Sequence, residues 1–165
     1  MKIAIISDVH DNLKNLNKFI NYANTNNVNI IFCTGDLTNE ESAKILAENF
    51  NKNIYIISGN IELYEPQLFH EYKNVHHLGK TGIISLANTK FGLCHEPHYI
   101  YDLIEKRPDL DIIFYGHTHK PWIEKQGQIK IVNPGTLGGV FQKATFAIYD
   151  TENKKLELKI LETIS

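Results

Sequence analysis

Five short polar groups carry the chemistry in this sequence: Asp8-Val9-His10, Gly35-Asp36, Gly59-Asn60, Cys94-His95 and Gly116-His117-Thr118-His119. Between them they offer seven metal donors, Asp8, His10, Asp36, Asn60, His95, His117 and His119. Imidazole mixed with carboxylate and amide oxygen suits manganese, iron, cobalt, nickel or zinc better than the all-oxygen shells of calcium and magnesium. Seven donors exceed what one tetrahedral ion uses; they suit two ions that share a carboxylate and keep positions open for solvent. In Asp8-x-His10 and His117-x-His119 the one-residue spacing points both side chains the same way on extended backbone. A glycine before Asp36, Asn60 and His117 lets the chain turn sharply and approach an ion closely.

Each piece alone is commonplace. An isolated His-x-His or Gly-Asp is usually a surface turn, and a lone Asp8 reads equally well as a helix cap. The argument lies in their joint placement, because each follows an apolar run. Ile3–Ser7, Val28–Cys33, Ile54–Ile57, 91–94 and Ile112–Tyr115 read as buried strands. Four of the eight histidines, His10, His95, His117 and His119, fall at strand ends in this set, whereas His70, His76, His77 and His98 do not. Functional groups of open α/β folds collect beyond the carboxyl ends of strands, so five such ends can feed one crevice.

The elements between the strands fit that plan. Leu13, Leu16, Phe19, Ile20 and Ala23 recur at helical spacing over 12–23, with Asp11 or Asn12 available as N-cap. Ala43, Leu46, Ala47 and Phe50 mark a second helix over Glu40–Phe50. Alternation of strand and helix predicts right-handed crossovers on a parallel sheet. Beyond it, 83–86 and 91–94 read as a hairpin and Ile100–Lys106 as a short helix stopped before Pro108. From Trp122 onward, segments 122–125, 129–132, 144–149 and 156–162 read as short strands, expected as an antiparallel addition to the α/β core. No repeat or linker divides the chain, and one domain over 1–165 is expected.

Composition narrows the functions. The 165 residues carry a formal net charge of -2 with no basic block, which gives no footprint for non-specific nucleic-acid binding. Cys33 and Cys94 are two isolated cysteines, read as free buried thiols rather than a disulfide framework. The apolar run Ile3–Ile6 is too short for a signal sequence or a membrane span, so no membrane partner and a cytoplasmic location are expected. Self-association as a homo-oligomer stays open.

These motifs, in this order from Ile3 to about Thr136 and including Asn133-Pro134-Gly135-Thr136, resemble the calcineurin-like metallophosphoesterase superfamily, in particular its small single-domain phosphodiesterase branch. The resemblance implies a four-layered α/β sandwich of two mixed sheets flanked by helices. It also implies the ligand assignment: Asp8, His10 and His119 on one ion, Asn60, His95 and His117 on the other, and Asp36 bridging. It makes Asp36, Asn60, His95 and His117 central to catalysis. Two divalent transition-metal ions are expected, manganese first and nickel, cobalt, iron or zinc as alternatives. They would activate a bridging hydroxide for in-line attack on a small phosphodiester. A phosphomonoesterase and a non-catalytic scaffold are the competing readings.

The chain departs from the family pattern at three places. Ile61 and Glu62 follow Asn60 where many relatives have a proton-donating His and then an Asp; Glu62 can still hydrogen-bond a ligand from behind. Asp11 follows His10 where the branch usually has Gly, and Cys94-His95-Glu96 replaces the more usual His-Gly. Carboxylates at Asp11 and Glu96 near the crevice would repel a monoester dianion more than a diester. Asp11 and Asn12 either orient ligands or phosphate or cap a helix, and His98 is either a surface residue or a surrogate acid.

Overall fold

The computed structural model describes residues 1–164. Strand β1 (Lys2–Ile6) leads into helix α1 (Leu13–Thr25), β2 (Ile30–Cys33), α2 (Glu40–Asn49) and β3 (Ile54–Ile56). A 3-10 segment, Pro66–Glu71, precedes β4 (Val75–His77). The hairpin β5 (Thr81–Leu86) and β6 (Thr89–Cys94) follows, then α3 (Tyr99–Lys106) and β7 (Ile112–Phe114). Then come β8 (Trp122–Gln126), β9 (Ile129–Asn133), β10 (Thr145–Asp150), β11 (Lys155–Ile160) and a second 3-10 segment, Leu161–Thr163. Among the described residues no helix is long and apolar enough to cross a membrane.

Two mixed sheets result, one ordered β11-β10-β1-β2-β3-β4 and the other β5-β6-β7-β9-β8. The first has β1 to β4 parallel and β10 antiparallel to β1. The second has β6, β7 and β9 parallel, with β5 and β8 antiparallel at its edges. The period-2 alternation of β1 shows why its apolar run is continuous. Ala4 and Ile6 pack with Leu16, Phe19 and Leu46 beneath α1 and α2. Ile3 and Ile5 point the other way, into a layer between the sheets with Phe32, Phe91, Phe114 and Tyr149. A third cluster joins Ile100 and Leu103 of α3 to Ile113, Ile129 and Ile131 on the outer face of the second sheet. Helix, sheet, sheet, helix is the four-layered order that the resemblance implied. Cys33 and Cys94 are both free and buried.

The strands beyond Trp122 do not form one antiparallel addition. β9 runs parallel to β7 in the second sheet, while β10 and β11 cross back to extend the first. β4 was not legible in the sequence, because Val75-His76-His77 offers three residues with a single aliphatic among them.

Candidate metal centre

All five polar groups lie just beyond the carboxyl ends of parallel strands: Asp8 and His10 after β1, Asp36 after β2, Asn60 after β3, His95 after β6, and His117 and His119 after β7. The first three strands belong to one sheet and the last two to the other, so the site closes over one end of the sandwich. All seven expected donors are brought together there.

Two groups of donors emerge. Asp8, His10 and His119 form one, and Asp8, Asp36 and His95 the other, with the donor atoms of each within 4.8 Å of one another. His10 Nε2 lies 2.9 Å from His119 Nε2. Asp8 Oδ1 lies 3.2 Å from His119 Nε2 and 3.7 Å from His10 Nε2. In the second group His95 Nε2 is 3.2 Å from Asp36 Oδ2 and 2.9 Å from Asn60 Oδ1, and His117 Nδ1 is 2.9 Å from the same amide oxygen. Two ligands each about 2.1 Å from a common ion are about 3.0 Å apart at right angles and about 3.4 Å apart in a tetrahedron. The separations of 2.9–3.2 Å are close to such edges, and only the 3.7 Å between Asp8 and His10 is longer. The carboxylate common to both groups is Asp8, with Asp36 beside it, whereas the resemblance gives the bridging role to Asp36.

Hydrogen bonding shows why such a cluster suits cations. His95 Nδ1 donates to the Thr34 carbonyl at 2.7 Å, so the neutral ring presents a lone pair at Nε2. That lone pair faces Asp36 Oδ2 and Asn60 Oδ1, two further acceptors. Asp8 is 0% exposed, Asp36 3% and His95 1%. Among the described residues, the only ion-pair partners of either carboxylate are histidines. Two buried carboxylates without a Lys or Arg need another positive charge, since an unpaired buried charge is costly. Without an ion, protonated imidazoles are the cations available to these carboxylates, and the acid–base shifts follow from that pairing. Burial pushes the Asp36 carboxyl up, but its hydrogen bond to His95 and that ring's charge outweigh burial and hold it below the ordinary value. Burial pulls His95 down, while the Asp36 hydrogen bond and the charges of Asp8 and Asp36 raise it overall. A hydrogen bond to Asp8 raises His10 against the opposing effect of burial. Toward solvent, Asn60 and His117 are exposed and form the open side of the site.

The backbone is tightly constrained around these donors. Asp8, His10, Asp36, His117 and His119 all have positive φ, between 47° and 68°. For residues other than glycine this conformation is uncommon and persists where surrounding contacts over-determine it. Glycine is required at close approaches: a Cβ on Gly59 would sit 1.9 Å from Asp36 Oδ1, and one on Gly116 would sit 2.0 Å from Ser7 Oγ and 2.8 Å from Asp8 Oδ2.

Supporting groups complete the site. Glu62 bonds no ligand side chain; its carboxylate accepts from the Thr38 amide at 2.9 Å and the Gly59 amide at 3.1 Å, tying the Asp36 loop to the Asn60 loop. Burial raises its pKa against the opposing effect of these amide bonds. Asn133 Nδ2 donates to the Gly116 carbonyl at 2.7 Å and Thr136 Oγ1 to the Asp8 carbonyl at 2.8 Å, so the Asn-Pro-Gly-Thr segment steadies two ligand loops. Asn12 caps α1 by accepting from the Asn15 amide. The His98 side chain is 61% exposed, packs at a tilt against Tyr99 and lies 3.8 Å from Glu96; among the described residues it makes no hydrogen bond or ion pair with the donors, so it is a surface residue. The Thr34 carbonyl, which orients His95, could not be found from sequence, because a backbone acceptor has no residue-type signature.

Comparison with known proteins agrees with this geometry. The calcineurin-like phosphoesterase superfamily domain matches residues 1–154. A phosphodiesterase of Methanocaldococcus jannaschii is 30% identical over 167 aligned positions, spanning 98% of this chain and 100% of its own length. The structure of a novel archaeal phosphodiesterase superposes with a TM-score of 0.85 at 27% identity, covering 97% of this chain and 99% of the other. A phosphoesterase from E. coli shares the fold at a TM-score of 0.66 and 19% identity, over 98% of this chain and 100% of the other. With its two clusters of Asp and His at the strand ends, this chain belongs to the calcineurin-like phosphoesterase superfamily and, within it, to the small phosphodiesterase-like branch.

Proposed function

We propose that the chain is a dinuclear metal-dependent phosphodiesterase acting on a small phosphodiester. The observation that supports this reading most is the convergence of Asp8, Asp36, Asn60 Oδ1 and the imidazole nitrogens of His10, His95, His117 and His119 near coordination-edge spacing. On this reading Asp8, His10 and His119 hold one ion, Asn60, His95 and His117 the other, and Asp36 lies between them. Manganese is the first choice, with nickel, cobalt, iron and zinc compatible with the same donors. When bound, such a pair of ions acidifies a water near neutral pH and offsets negative charge that develops on the phosphoryl oxygens.

The protein supplies placement. Asp36 Oδ1 accepts from the backbone N–H groups of Asn60 at 2.9 Å and Ile61 at 3.2 Å, which fixes the carboxylate while Oδ2 faces His95. The Thr34 carbonyl holds the His95 tautomer that presents Nε2. With Asn60 Oδ1 turned to His95 and His117, its amide nitrogen is left to donate to a phosphate oxygen at the open side. Ile61 is partly exposed beside it and has no proton to give, so the leaving oxygen must depart without a side-chain acid at that position.

A second reading, phosphomonoester hydrolysis, gains from one observation. The Asp11 carboxylate is engaged with Asn39 and Ser42, which weakens the expectation that it repels a dianion. The test is parallel kinetics on bis(p-nitrophenyl) phosphate and p-nitrophenyl phosphate with Mn, Ni, Co, Mg and Zn. Preference for the diester with the transition ions supports the proposal. Preference for the monoester assigns the second reading, and metal uptake without turnover of either rejects both.

A further inference from the structure

The Asp11 side chain is not a metal donor and is not needed to cap its own helix, a role Asn12 fills. It reaches instead across to the start of α2. Its Oδ1 accepts from the Asn39 backbone amide at 2.9 Å and from Ser42 Oγ at 2.8 Å, and its Oδ2 accepts from the Asn39 side-chain amide. Asn39 is the N-cap residue of α2 and makes no side-chain cap bond within its own helix. In a capping box, a side chain three residues into the helix accepts from the N-cap amide. Here the acceptor is Asp11, supplied by a different loop. Ser42 is 0% exposed, so its hydroxyl depends on a protein partner, and that partner is Asp11.

The two loops so joined are those that carry Asp8, His10 and Asp36. They already meet at the other end, where the amides of Asp8, Val9 and His10 donate to the carbonyls of Gly35 and Asp36 at 2.9–3.1 Å. Between the two attachments, His10 and Asp11 are consecutive left-handed residues, with φ of 47° and 55°. A pair of such residues needs external restraint to stay there. We propose that Asp11 is a positioning residue of the metal centre: its bonds to Asn39 and Ser42 lock the Asp8–His10 loop against the Asp36 loop and aim His10 at the ion it shares with Asp8 and His119. This rests on the reading of these residues as metal ligands under the proposed function.

The test uses the full chain, stripped with chelator. It is titrated with Mn2+ by calorimetry and with Co2+ by visible absorption, in wild type and in Asp11→Ala, Asp11→Asn, Ser42→Ala and Glu40→Gln. Loss of a group that orients a ligand typically lowers metal affinity about 10–100-fold. Asp11→Ala is therefore expected to weaken at least one ion about tenfold and to alter the Co2+ spectrum. Asp11→Asn keeps the acceptor for the Asn39 backbone amide and Ser42, and its new NH2 can donate to the Asn39 side-chain oxygen once that amide turns over; it should return to within about threefold of wild type, with Ser42→Ala between. Glu40→Gln removes a charge at the same helix end without touching the loop, and should bind as wild type does. Wild-type affinity in Asp11→Ala, even with a lowered melting temperature, overturns the proposal. So does an Asp11→Asn variant as defective as Asp11→Ala, since charge would then matter rather than hydrogen bonding. If Asp11→Ala does not fold, the Asn39→Ala/Ser42→Ala double variant decides: a tenfold loss supports the proposal and unchanged affinity overturns it. A wild type that binds both ions but cleaves neither ester overturns the proposed function and leaves this inference to the titrations. A wild type that takes up neither ion overturns both.

Discussion

Replacing Asn133 by Ala should cost both stability and metal affinity, and the structure sets the size of the effect. Asn133 is 0% exposed and makes three hydrogen bonds: Nδ2 to the Gly116 carbonyl at 2.7 Å, Nδ2 to Thr118 Oγ1 at 3.0 Å, and Oδ1 from the Gly135 amide at 2.8 Å. Thr118 is exposed and can turn to water, so its loss counts for little. The Gly116 carbonyl keeps a second donor, the Thr118 amide at 2.8 Å, whereas the amide of buried Gly135 loses its acceptor. Each buried group left without a partner costs about 1–3 kcal/mol. One such group, with a small cavity in addition, gives about 2–4 kcal/mol. That is a large fraction of the roughly 5–15 kcal/mol by which domains are stable. A domain of this size loses about 2–4 °C per kcal/mol, so the melting temperature should fall by about 4–16 °C. Gly116 directly precedes His117 and loses its tie to the Asn-Pro-Gly-Thr segment, keeping only the Thr118 amide of its own loop, so metal affinity should fall by about tenfold. The assay is urea unfolding followed by circular dichroism in chelator, then Mn2+ titration of the folded variant. Asn133→Asp, isosteric but with an acceptor facing the Gly116 carbonyl, should be at least as destabilising near neutral pH. A loss below about 1 kcal/mol in Asn133→Ala, with metal affinity intact, would refute the assignment of this segment as the support of the His117 loop.

Other substitutions probe different parts of the centre. Asp36→Ala should weaken both ions, whereas His119→Ala should mainly empty one; metal analysis of the purified variants checks this, and Asp8→Ala losing both while Asp36→Ala loses one would move the bridge to Asp8. Gly59→Ala places a methyl 1.9 Å from Asp36 Oδ1 and 2.4 Å from the Asp36 amide nitrogen, so it should destabilise by about 1–3 kcal/mol and lower metal content, read by thermal unfolding and metal analysis. Because Ile61 donates no proton, diester cleavage should fall steeply as the leaving-group pKa rises, and Ile61→His should favour the poorer leaving groups by up to about 10²–10⁴-fold. Rates across a series of aryl and alkyl diesters at saturating Mn2+ measure both effects, and a flat dependence in wild type would contradict the role given to Ile61.

Much of this site was legible before folding. Strands such as Ile3–Ile6 and Ile30–Cys33 are buried on both faces, so they read as uninterrupted apolar runs, and the polar residues that end them are conspicuous. Asp, His and Asn beyond such runs have few structural uses in common, and metal binding is one of them. The glycines before Asp36, Asn60 and His117 could be read the same way, because only the absence of a Cβ lets the backbone there approach its neighbours, the Asp8 and Asp36 carboxylates among them, so closely. Other features depended on the tertiary structure. A strand's own pattern tells which faces it buries but not which neighbour it bonds, so nothing in Thr145–Asp150 announces that it crosses back to lie antiparallel to Lys2–Ile6. The tautomer of His95 depends on the Thr34 carbonyl, a backbone group that every residue carries. Whether Asp11 serves its own helix or the next depends on where α2 begins in space, and the structure places Asn39 and Ser42 against its carboxylate. Residue type and burial are local properties that the sequence determines, while partnership between distant backbone groups exists only once the sheets have closed over one another.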